Sequence, residues 1–224
     1  MPKIDSKTDK TGRQPEKGGK HILHKAPHSL LVQHLSIPHM HKEKAPKRLK
    51  FYIAVVSTSR YKLKKEGKPV NDVSGYLMQR YLAEAGQELV ARKIIPDDKK
   101  AIEEAINEAF NLDADVIVLS GGTGISPDDI TIEVVEPLLE KKLPGFGELF
   151  RLLSYEEIGS SAIMTRCVAG IRRGRAIFCI PGSPDAVRLA FEKLILPEIG
   201  HIIAMARGGH ENKGFKGVAP QRHG

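Results

Sequence analysis

The sequence predicts an α/β domain, a layered sandwich built on a mainly parallel central sheet. Three observations carry that expectation. Apolar, β-branched runs at 51–56, 115–119 and 176–180 read as strands buried on both faces. Segments with apolar residues at helical spacing separate them, which puts helices over both faces of a parallel sheet. Each run also delivers the chain into a loop of small residues: Ser57-Thr58-Ser59, Gly121-Gly122-Thr123-Gly124 and Pro181-Gly182-Ser183-Pro184. Ligands of parallel sheets sit beyond the carboxyl ends of the strands, so these loops are expected to converge.

A chain of 224 residues can bury one large core and carry appendages. Of its 35 Lys/Arg and 27 Asp/Glu, residues 1–50 hold 12 and four, and the remainder holds 23 of each. The net charge of +8 therefore belongs to the N-terminal tail, which argues against nucleic acid as a partner of the folded part. Residues 1–48 are basic, punctuated by five prolines and rich in histidine, and are predicted to be disordered. His21, His24, His28, His34, His39 and His41 read as scattered imidazoles on that tail; His39 and His41 form the best-spaced pair for a metal. The two cysteines, Cys167 and Cys179, lie in apolar segments without CxxC spacing. They predict buried thiols in a reducing compartment, and no apolar stretch is long enough to span a bilayer, so a cytoplasmic protein is expected.

The folded domain is expected over 49–206, with a frayed segment at 207–224. After the first strand, 62–68 is lysine-rich and reads as an exposed loop. Asn71 to Gly75 leads into a helix ending near Gly86, with Leu77, Tyr81, Leu82 and Ala85 on one face. A strand at 88–95 closes at Pro96, and Asp97 stands at the expected N-cap of a helix running to Phe110. Ile102, Ala105, Ile106 and Ala109 give that helix a core face. Beyond the glycine loop, 131–141 reads as a helix kinked at Pro137, 144–148 as a loop and 149–158 as helical. Strands at 167–171 and 176–180 flank a short turn, and the Pro181–Asp185 segment caps a last helix that Pro197 separates from a second apolar segment ending near Ala206.

The stretch from Ser120 to Thr131 carries most of the chemistry. Three glycines in four residues remove side chains where backbone turns sharply or approaches a ligand. Ser126 reads as an N-cap, Pro127 as a first-turn residue, and Asp129 as the acid of a capping box, which would gather free N–H groups suited to a phosphate. No Gly-Lys-Ser/Thr follows, so this is not a Walker loop. Asp97 and Asp129 stand where either a helix cap or a ligand for a divalent cation is expected, and local chemistry leaves both readings open; Asp128 reads as a solvated first-turn acid.

Ser-Gly-Gly-Thr-Gly-x4-Asp-x-Thr at 120–131, the Pro96-Asp97 pair, Leu-Pro-Gly-Phe-Gly-Glu at 143–148 and Pro-Gly-Ser-Pro at 181–184 resemble the MogA/MoaB family of molybdenum-cofactor biosynthesis. The resemblance covers roughly residues 50–206. It implies a molybdopterin adenylyltransferase, commonly trimeric, that uses Mg-ATP to adenylylate the phosphate of molybdopterin and works alongside other cofactor-assembly proteins. Asp97 and Asp129 match the family's two catalytic acids and would act through Mg²⁺. Gly121, Gly122, Thr123 and Gly124 match its substrate-binding loop. Ser57, Ser154, Thr165, Pro181, Gly182 and Ser183 fall at or near positions that bind pterin or phosphate. Many adenylylating relatives carry basic residues where this chain has Pro127-Asp128. A non-catalytic molybdopterin-binding or carrier protein is the alternative, and ATP-dependent AMP transfer separates the two.

Overall fold

The computed structural model describes residues 46–208; the expectations for the histidine-rich tail and for the segment after Gly208 lie outside the described residues. Six strands form one sheet in the order β2-β1-β3-β6-β5-β4. Strands β1 (Lys50–Val56), β2 (Glu88–Ile95), β3 (Val116–Ser120) and β6 (Arg175–Ile180) run parallel, and β5 (Val168–Arg172) and β4 (Lys141–Lys142) add an antiparallel margin.

The uninterrupted apolar runs make sense as central strands covered on both sides. Along β1, Phe51, Ile53 and Val55 enter one core while Tyr52, Ala54 and Val56 enter the other. Val116 and Val118 alternate with Ile117 and Leu119 on β3, and Ala176, Phe178 and Ile180 with Ile177 and Cys179 on β6. The first core is closed by α2 (Val73–Glu84), α5 (Pro144–Ile158), α6 (Pro184–Leu189) and α7 (Leu196–Ala206), and the second by α3 (Lys99–Asn111) and α4 (Thr131–Val135). Phe178 sits at the centre of the first core, edge-on to Phe146 with ring centroids 5.1 Å apart.

Four expected boundaries move. The lysine-rich stretch is exposed, yet it belongs to a helix, α1 (Thr58–Lys65), that buries none of its residues. Lys, Arg and Leu are good helix formers, Ser57 caps its start by accepting the Arg60 N–H, and Gly67 ends the turn at φ +68°. The helix expected over 131–141 starts at Thr131, leaving Ser126 and Pro127 in the turn before it, but stops at Val135 and gives way to a 3₁₀ turn at Glu136–Leu138, because Pro137 withholds an N–H. Helix α5 starts at Pro144 rather than 149: proline suits a first turn, where its missing N–H is not needed. Helix α6 runs on past Pro197 into α7 through a wider turn at Ala190–Ile195. The bond that Pro197 cannot make would fall within that turn, so the chain continues.

Phe178 tests the layering. Phe178→Ala is expected to cost about 3–5 kcal/mol in urea unfolding, the scale for emptying a close-packed aromatic site. A loss below 1 kcal/mol would mean that the first core does not depend on β6.

Candidate active site

The carboxyl ends of β1, β2 and β3 meet at one cleft of about 540 Å³, lined by Val56, Ser57, Thr58, Ser59, Asp97, Gly122, Asp128 and Asp129. The Ser57 N–H donates to the Ile95 carbonyl at 2.8 Å, and the Asp97 N–H donates to Thr58 Oγ1 at 3.0 Å, so the ends of the two neighbouring strands are tied together. The cap of α3 is Asp98, whose carboxylate accepts the Ala101 N–H at 3.0 Å, and not Asp97 as the sequence suggests. Relieved of capping, Asp97 lines the cleft. Its Oδ1 is buried and has no hydrogen-bond partner.

Opposite stands bare backbone. Gly121 and Gly122 adopt φ +108° and +61°, which glycine alone takes without strain. A Cβ at Gly121 would strike the Val56 carbonyl, and one at Gly122 would strike both Asp97 Oδ1 and Thr131 Oγ1. Thr131, fully buried, fixes this bend: its hydroxyl donates to the Gly121 carbonyl at 3.0 Å and its N–H to the Gly122 carbonyl at 2.9 Å. Asp129 caps no helix. Its carboxylate accepts the Ser126 N–H at 3.1 Å, which forms the backward half of a capping box inside a turn.

Three carboxylates thus share a cleft whose lining contains no cation. Burial, above all, raises the Asp97 carboxyl above the usual carboxylate range; the hydrogen bonding to Thr58 opposes this, and the charges of Asp129 and Asp128 add to it. No group of three or more ligating side chains among the described residues could hold a metal ion alone. An unpaired buried carboxylate oxygen beside a second carboxylate nevertheless fits Mg²⁺, which commonly takes one or two carboxylates and completes its shell with water and substrate phosphates.

Residues 52–201 match a family model described as "Probable molybdopterin binding domain". The chain is 44% identical over 164 residues to molybdenum cofactor biosynthesis protein B of Bacillus cereus, covering 72% of this chain and 93% of that protein. It is 44% identical over 171 residues to the molybdopterin adenylyltransferase of Pyrococcus furiosus, covering 75% and 96%. The chain belongs to the molybdopterin-binding-domain family. A solved member, the tungsten cofactor synthesizing protein MoaB from Pyrococcus furiosus, superposes with a TM-score of 0.66 at 43% identity, over 73% of this chain and 99% of that one.

Within this family frame the other expected site residues divide. Gly182 packs on Gly121, and its carbonyl accepts the Ser74 hydroxyl at 2.7 Å, so the Pro181–Ser183 loop buttresses the glycine loop. Ser183 caps α6 through the Ala186 N–H. Ser154 lies in α5 and donates back to the Phe150 carbonyl at 2.7 Å, outside the cleft lining. Thr123 is buried in the loop, and Thr165 ends the 3₁₀ turn Gly159–Met164 just before Arg166, which reaches the loop. Glu148 lines a separate recess of about 260 Å³ with Arg151 and Cys167. Burial pushes the Cys167 thiol up to about 11 and raises Cys179, sealed in the second core, further still. Thr58 and Thr131 enter the sequence reading only as members of the 57–59 loop and the 120–131 motif, with no role assigned, and Arg166 escapes it.

The two neighbouring aspartates should behave oppositely. A carboxyl raised by folding costs stability once ionised, a cost absent in acid and growing as pH climbs through the carboxylate range. Asp97→Asn is therefore expected to raise the thermal midpoint at pH 7, with the gain shrinking toward pH 4. Asp98→Ala should lose about 0.5–2 kcal/mol, as for other N-caps. Equal destabilisation by both substitutions, measured by calorimetry across that range, would make Asp97 a structural acid.

Proposed function

We propose that this protein is a molybdopterin adenylyltransferase acting through Asp97 and Asp129 in the cleft. A phosphate oxygen of molybdopterin attacks the α-phosphorus of ATP; the new P–O bond forms as the bond to the β-phosphate breaks, and pyrophosphate leaves with that electron pair. The single observation that carries this reading is the buried, unpaired Asp97 Oδ1 set against the glycine backbone, a pairing that suits a cation and an anion bound side by side. The names and similarity of the relatives support the substrate.

The residues divide the work. Asp97 and Asp129 would hold Mg²⁺, which when bound neutralises charge gathered on the reacting phosphates. The N–H groups of Gly122, Thr123 and Gly124 are assigned to phosphate oxygens, while Gly121, whose N–H donates to the Ile180 carbonyl at 3.0 Å, shapes the turn that presents them. Ser57, Thr58 and Ser59 also line the cleft and are assigned to the nucleotide side. Pro181, Gly182, Ser183, Thr165 and Ser154, which lie outside the cleft lining, are assigned to the pterin side on the family resemblance alone. Self-association is supported by exposed apolar residues, Leu149, Leu152, Tyr155 and Ile158 on α5, then Ile163, which is 87% exposed, and Met164; the trimer is assigned on the family resemblance. No helix among the described residues is long and apolar enough to cross a membrane, consistent with work in the cytoplasm.

Incubation with molybdopterin and Mg-ATP, followed by chromatography of the pterins, is expected to yield adenylylated pterin and pyrophosphate. Asp97→Asn and Asp129→Asn should each slow the reaction by about 100-fold or more, the scale for removing one electrostatic element of a transfer site. Their pterin affinity should stay near wild type. Tight pterin binding without product by the wild type would assign a carrier role instead.

A further inference from the structure

Resting on that reading, we propose that Arg166 is a positioning residue that holds Asp129 at the metal through the glycine loop. Arg166 does not line the cleft. It follows the 3₁₀ turn Gly159–Met164 and reaches the loop from outside: one terminal nitrogen donates to the Gly124 carbonyl at 3.1 Å, and the other pairs with Glu133 on α4.

The geometry gives this fork a specific task. Thr131 secures the root of the loop at Gly121 and Gly122. Farther out, among the described residues, Ser126 and Asp129 bond only within the tip, the Ser126 N–H to the Asp129 carboxylate and the Asp129 N–H to the Ser126 carbonyl at 3.0 Å. Among the described residues, the Arg166 bond to Gly124 ties that tip to the body of the domain. Gly124 in turn packs directly on Asp129: a Cβ there would lie 2.6 Å from Asp129 Oδ2. A shift at Gly124 is therefore a shift at Asp129. Because Glu133 pairs with the guanidinium, Arg166 serves as a neutralised clamp rather than as a cation for substrate phosphates. A lysine cannot reproduce the two-pronged grip.

The test reads metal binding without turnover. Mn²⁺ replaces Mg²⁺, and its retention in the presence of ATP is followed by electron paramagnetic resonance in wild type, Arg166→Met, Asp129→Asn and the double variant. Arg166→Met is expected to weaken retention about tenfold, the scale of coupling within one hydrogen-bond network, and the double variant to bind no worse than Asp129→Asn alone. A merely structural arginine would instead give additive losses. Arg166→Lys, expected to fall between wild type and Arg166→Met, carries the same cycle should the methionine variant not fold. Wild-type retention by the Arg166 variants, or losses that add to that of Asp129→Asn, overturn the clamp while leaving the functional reading standing. Wild-type retention by Asp129→Asn overturns that reading, and the clamp with it.

Discussion

One buried carboxylate oxygen with nothing to bond to sets the terms for this end of the molecule. An unsatisfied buried polar atom costs about 1–3 kcal/mol, so Asp97 Oδ1 persists only because its surroundings leave it no alternative. Asp98 takes over the capping of α3, Thr58 holds the Asp97 backbone, and the glycine bend closes from the far side without a side chain that could pair with it. The sheet supplies the rigidity. Strands β1 and β3 pair in register from Phe51 with Val116 to Val55 with Ser120, which brings their carboxyl ends to one level.

The same constraint explains why the loop around Gly121 has so many neighbours. It is pinned by Thr131 below, by Gly182 and the α2-anchored Pro181–Ser183 segment beside it, and by Arg166 from outside. Three carboxylates repel one another across a lining without a cation, and a loop free to move would relieve that repulsion by opening. Fixing it keeps the charge concentrated, which is what a site for a divalent cation and phosphates requires.

The sequence shows the buried strands plainly, since β-branched residues without polar alternation have few other uses, and it shows the glycine loop because three glycines in four residues serve no helix or strand. It hides the features set by contacts distant in sequence. Two adjacent aspartates look alike on paper, and only the path of the chain past Thr58 decides that Asp98 caps while Asp97 faces the cleft. Helix α1 buries nothing, so no hydrophobic period betrays it, and α5 begins among a proline and two glycines that read as a loop. Arg166 lies 42 residues from the glycine it holds, and its role is invisible until the fold joins them.

We infer that Asp97 serves a bound cation, and carbon-13 NMR titration of its carboxyl group, assigned by loss of the resonance in Asp97→Asn, tests this. Free protein should show Asp97 titrating above the usual carboxylate range. With saturating Mg-ATP the same resonance should titrate well below its position in the free protein. An ordinary midpoint unmoved by Mg-ATP would mean that Asp97 is neither buried as a carboxylate nor a ligand for the cation.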